Sequence, residues 1–110
     1  MKIHLIKEKT IRNFALVNTN SKIPFEEWMA KLKRADWDKP TYIKDTFNST
    51  DLLGKGSLRV VFDIGCNNYR MICKYAFGED CMRLYVCWIG THAEYNKLCN
   101  NKKQYTVFNY

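Results

Sequence analysis

Arg59-Val60-Val61-Phe62-Asp63-Ile64-Gly65-Cys66-Asn67-Asn68-Tyr69-Arg70-Met71-Ile72-Cys73-Lys74-Tyr75 is a pair of period-two runs joined by a four-residue turn. Side chains of a strand alternate between the two faces of its sheet. In the first run Val60, Phe62 and Ile64 therefore share a face. In the second, Tyr69, Met71, Cys73 and Tyr75 oppose Arg70, Ile72 and Lys74. Gly78-Glu79-Asp80 turns the chain again. Met82–Ile89 then continues the alternation, with Leu84, Val86 and Trp88 expected on one face and Arg83, Tyr85, Cys87 and Ile89 on the other. Three strands joined by tight turns form an antiparallel meander.

Upstream the period changes. Ile3, Leu5 and Ile6 suggest a first strand over residues 2–6, and Ile11, Phe14 and Ala15 then fall at helical spacing. Asn18-Thr19-Asn20-Ser21 reads as a turn. Pro24 suits the first turn of a second helix, where its missing N–H costs nothing. Phe25, Trp28, Met29 and Leu32 are that helix's apolar stripe, and Lys31, Lys33 and Arg34 a basic flank near its end. Asp36–Pro40 breaks it. A short helix through Tyr42, Ile43 and Phe47 follows, then a loop containing Gly54 and Gly56. The helices have one sheet face to cover, so the expected class is α+β, in a single domain over residues 1–110. Residues 99–110 read as a C-terminal tail, polar until Tyr105–Phe108, either fraying or forming an edge strand.

Eighteen Lys and Arg against eleven Asp and Glu give a formal charge of +7, which favours and steers association with polyanions. No apolar run is long enough to span a membrane, and the N-terminal apolar stretch is too short for a signal-peptide core, so a cytoplasmic protein is expected. Five cysteines without a CxxC pair read as structural or incidental thiols, with Cys73 and Cys87 inside apolar strands. HExxH, P-loop and dinucleotide-binding glycine patterns are absent, and the carboxylates are too scattered for a magnesium site. Neither a metal nor a cofactor is expected.

Two features carry chemistry. Arg70 and Lys74 project from the same face of one strand, and Arg83 and Tyr85 on the next could flank them; together they could hold adjacent RNA phosphates. On spacing alone they could equally be the wet face of an amphipathic strand. Thr91 with Glu94 forms a capping box, which places His92 in the first turn of a helix and Tyr95 on nearly the same helical side. A histidine, a tyrosine and several cations suffice for transesterification at a ribose 2′-hydroxyl. A lone histidine at a helix start could also be a surface or packing residue, and His4, within a strand, reads as structural.

The Arg59–Arg70 stretch, followed by Gly90-Thr91-His92-Ala93-Glu94-Tyr95-Asn96-Lys97, resembles the HigB family of type II toxin–antitoxin toxins, in the RelE-like superfamily of mRNA interferases. Thr10–Phe14, Trp28, Lys33 to Trp37, Pro40, Ile43-Lys44 and Ser49 extend the likeness upstream. The resemblance implies a RelE/ParE-like microbial ribonuclease fold, with N-terminal helices on a twisted, mostly antiparallel sheet. It implies a metal-independent endoribonuclease that cuts mRNA in the ribosomal A site. It also implies a helix-turn-helix antitoxin through which the complex contacts operator DNA. Carried onto this chain, the catalytic set is His92, Arg70, Lys74, Arg59 and Tyr95. Arg83, Tyr85, Lys97, Lys33 and Arg34 are the expected RNA contacts. Asp63 stands where the family usually has Asn, and Asn96 where it usually has Asp. A catalytically inactive antitoxin-binding or RNA-binding protein of the same fold is the competing reading.

Overall fold

The chain is described by a computed structural model covering residues 1–110. In order it forms β1 (Lys2–Ile6), α1 (Glu8–Val17), a 3-10 turn (Thr19–Ser21), α2 (Lys22–Arg34), α3 (Thr41–Thr46), β2 (Thr50–Leu52), β3 (Arg59–Ile64), β4 (Tyr69–Phe77), β5 (Cys81–Thr91) and α4 (His92–Asn100). One sheet in the order β1-β5-β4-β3-β2 carries all five strands. β1 runs parallel to β5 and every other pair is antiparallel. The expected α+β class and meander are both present. β2, which falls just before the glycine loop, is a strand the sequence reading did not contain. No helix is long and apolar enough to cross a membrane.

The two sheet faces are built differently. On the first, Val60, Phe62 and Ile64 of β3, Met71, Cys73 and Tyr75 of β4, and Met82, Leu84 and Val86 of β5 meet Ile11, Phe25, Trp28, Met29 and Leu32 of α1 and α2. Trp28 and Phe47 stack at 5.7 Å, and both meet Phe62 edge-on. On the second face a smaller core of Val61, Ile72, Cys87 and Trp88 is covered by Tyr95 and Leu98 of α4 and by Val107 of the tail. All five cysteines are free, and burial pushes the Cys73 and Cys87 thiols up.

Strict alternation along β5 fails at one point. Ile72 pairs with Trp88 and Cys73 with Val86, which leaves Cys87 as the extra residue of a β-bulge. The bulge sends Cys87 and Trp88 to the second face together and returns Ile89 to the first. The tail is neither fraying nor an edge strand. It crosses the second face, where the Arg59 guanidinium donates to the carbonyls of Gln104 (3.3 Å) and Val107 (2.5 Å). It ends beside β5, where the Asn109 N–H donates to the Cys87 carbonyl at 2.9 Å. This is beyond Tyr85, the last residue of β5 paired with β1.

Candidate functional site

Three strands deliver the site in register. Arg70 of β4 lies between Asp63 of β3 and Gly90 of β5. All three occupy the second face, at the end where α4 begins. The β3–β4 turn uses left-handed backbone at Gly65, Cys66 and Asn67. It returns Asn67 toward the strand so that its Oδ1 accepts from Arg70 Nη2 at 3.3 Å. Gly90 is required sterically, because a Cβ there would sit 2.5 Å from the Trp88 ring.

The capping box forms as expected. The Thr91 N–H donates to Glu94 Oε1 at 2.8 Å, and the Glu94 N–H to Thr91 Oγ1 at 3.2 Å. α4 therefore starts at His92, whose own N–H donates to the Asn68 carbonyl at 3.2 Å. His92 Nδ1 lies 3.2 Å from Arg70 Nη2. A guanidinium can only donate, so Nδ1 is the acceptor and the neutral ring carries its proton on Nε2. Arg70 Nη1 is paired with Asp63 Oδ1 at 2.8 Å, both side chains being less than one-fifth exposed. Its Cζ lies 5.3 Å over the Tyr95 ring, and Tyr95 in turn leans on Trp88 at 6.1 Å. Arg70 Nε is buried without a partner.

The electrostatics follow from this packing. Burial pushes the Asp63 carboxyl up, and the Arg70 charge offsets that only in part. Burial, then the neighbouring Cys99 thiol, holds the Tyr95 hydroxyl well above the usual tyrosine range. Tyr95 thus stays protonated at neutral pH, and its ring lies under the Arg70 guanidinium as a cation–π partner. No three His, Cys, Asp or Glu side chains converge in a way that could hold a metal ion.

Of the expected catalytic set, Arg70, His92 and Tyr95 come together. Lys74 is exposed on the same face, four residues along β4, roughly 13 Å from Arg70 at strand spacing. Arg59 does not join them. It is 5% exposed, and its guanidinium is occupied by the tail carbonyls. Of the expected RNA contacts, Arg83 and half-buried Tyr85 lie on the second face of β5, and Lys97 is exposed on α4. Lys33 and Arg34 end α2 on the opposite layer, away from Arg70. Asn67 and Trp88 were not anticipated. Asn67 belongs to the turn inside the Arg59–Arg70 stretch that carries the family resemblance, but nothing in the sequence gives it a contact with Arg70, and Trp88 reaches the site only through the bulge.

A family model described as HigB_toxin, the RelE-like toxic component of a toxin-antitoxin system, matches residues 21–98, more than half of the chain. A search of curated proteins returns no match. The matched stretch contains Asp63, Asn67, Arg70, Trp88, His92 and Tyr95, and it ends before the tail: the chain belongs to the HigB toxin family of toxin–antitoxin systems.

Proposed function

We propose that this toxin is a ribosome-dependent endoribonuclease that cuts mRNA in the ribosomal A site without a metal ion. The contact between Arg70 Nη2 and His92 Nδ1 carries the reading, because it places a phosphate-binding cation against a nitrogen able to take a proton. In the resting site that nitrogen is occupied by Arg70. A phosphate that draws the guanidinium onto its nonbridging oxygens also uncovers Nδ1, so substrate binding creates the base. Nδ1 then takes the proton of the ribose 2′-hydroxyl, whose oxygen forms a bond to phosphorus while the P–O5′ bond breaks. The leaving 5′ oxygen takes a proton from water, and the imidazolium so formed returns its proton to water, which closes the balance. The products are a 2′,3′-cyclic phosphate and a 5′-hydroxyl.

Tyr95 holds the guanidinium plane, and Lys74 and Arg83 continue the positive track for neighbouring phosphates. The partners of this reading are ribosome-bound mRNA in the cytoplasm and a helix-turn-helix antitoxin that links the complex to operator DNA. One observation favours a non-cutting toxin, namely the Asp63 carboxylate already seated on Arg70. Mapping of 5′ ends on mRNA in a bacterial translation extract separates the two. New cuts at ribosome-occupied codons, lost with His92→Ala and Arg70→Ala, are expected. Uncut messages in the presence of folded wild-type protein would leave the binding reading.

A further inference from the structure

We infer that the outer edge of β1, with the cavity beside it, is a docking site for an extended, acidic segment of the antitoxin. The inference rests on membership of a toxin–antitoxin family and not on the ribonuclease reading, so either can fail alone.

β1 is an edge strand, hydrogen-bonded only to β5. Alternate residues of such a strand turn both N–H and C=O away from the sheet. No backbone or side-chain hydrogen bond within the chain reaches the outward groups of Lys2–Ile6. The strand is already ordered, since the Met1 ammonium is held by Asp36 and Asp38 and the Met1 carbonyl accepts from the Trp37 N–H. An added strand would therefore find its template formed.

A lysine on a short edge strand can be a simple defence against aggregation. What exceeds defence is the cavity of about 500 Å³ alongside, lined by Ile3, Leu5, Met29 and Leu32. It is large enough for an apolar side chain of an added strand, which would run about 4.8 Å from β1. Its rim carries Lys2 and Lys33, with His4 nearby. Glu8, the one carboxylate that lines the cavity, is already bonded to Arg12 at 2.9 Å, and Asp36 and Asp38 at the start of the strand are taken up by the Met1 ammonium. The rim is thus net positive, which selects an acidic segment and opposes edge-to-edge pairing of two copies of this chain. β1 pairs with the beginning of β5, whereas His92 follows its end. Counted along β5, that is roughly 30 Å. An antitoxin seated here leaves the Arg70–His92 pair uncovered.

Two native thiols make the test internal. Cys81 lines the cavity, and exposed Cys66 lies in the turn next to Asn67, beside Arg70. The complex with the cognate antitoxin, co-expressed and purified intact, is compared with the free toxin. Alkylation of each thiol is read by mass spectrometry, and amide exchange of residues 2–6 is followed in parallel. The expected result is at least tenfold slower alkylation of Cys81 and slower exchange in β1, with Cys66 little changed. The Lys2→Glu/Lys33→Glu variant should bind the antitoxin about tenfold more weakly while keeping its melting temperature. Protection of Cys66 with Cys81 unchanged, protection of neither, or protection of Cys81 by toxin dimerisation without antitoxin would each overturn the assignment.

Discussion

Two rows of side chains cross the same three strands on the same sheet face, and they have opposite fates. One row is Asp63, Arg70 and Gly90; the other is Arg59, Lys74 and Tyr85. Each contains an arginine. Arg70 has a carboxylate, an amide and an imidazole within reach, with a glycine as its β5 neighbour and α4 beginning beside it. Arg59 is roofed by the tail and spends its donors on two main-chain carbonyls. The comparison teaches that an arginine's role here is set by what covers its row, not by its strand or its face.

The sharpest way to break the comparison is to remove each arginine in turn. Arg70→Ala should lower mRNA cutting by about 10²–10³-fold, the usual range for losing one aligned donor to a developing oxyanion. Its unfolding free energy should move by less than about 1 kcal/mol, because Asp63 retains some access to water. Arg59→Met should do the reverse. Stranding the half-buried Gln104 and Val107 carbonyls should cost about 1–3 kcal/mol in urea unfolding, with cutting retained by the folded fraction. Equal activity losses at equal stability in both variants would mean that Arg59 leaves the tail to meet RNA.

The residues made part of this comparison legible. The meander, the two long helices and the capping box follow from periodicity and from Thr91 and Glu94, and each forms within a few residues of where it was expected. The remainder depends on contacts distant in sequence. β2 is only three residues long, too short to show a period, and forms because β3 offers it an edge. β1 takes its parallel place beside β5 across most of the chain's length. The bulge at Cys87 has no local marker, yet it decides that Trp88 supports Tyr95 instead of packing under the helices. Arg59 and Arg70 lie on one face in sequence terms, and only the path of the tail distinguishes them.

A milder perturbation probes how the active row is held. Thr91→Ala removes the side-chain acceptor of the Glu94 N–H and should cost about 1 kcal/mol. His92 is the first residue of α4, so fraying there should also loosen its contact with Arg70 and lower cutting several-fold. Thr91→Ser keeps the acceptor and should restore both. Rescue of stability without rescue of cutting would separate the cap from the placement of His92.

The smallest expected effect sharpens the comparison most, because it concerns the residue that makes Arg70 resemble Arg59. Asp63 occupies Arg70 as the tail carbonyls occupy Arg59, and an incoming phosphate must displace it. Asp63→Asn withdraws that charge while keeping the shape, so cutting should rise by roughly three- to tenfold at neutral pH, the scale of one weakened charge-assisted hydrogen bond. Burial holds the Asp63 carboxyl above the ordinary aspartate range, so the folded chain keeps this proton to a higher pH than the unfolded chain does. The stability contribution of the protonated group is therefore complete below the ordinary aspartate value. It is lost as pH rises through the raised folded value. Melting curves of wild type and Asp63→Asn between about pH 3 and pH 7 should accordingly diverge as pH rises, with the variant gaining relative to wild type. The opposite drift would mean that the ion pair outweighs burial, and that Asp63 stabilises the resting Arg70 instead of merely competing for it.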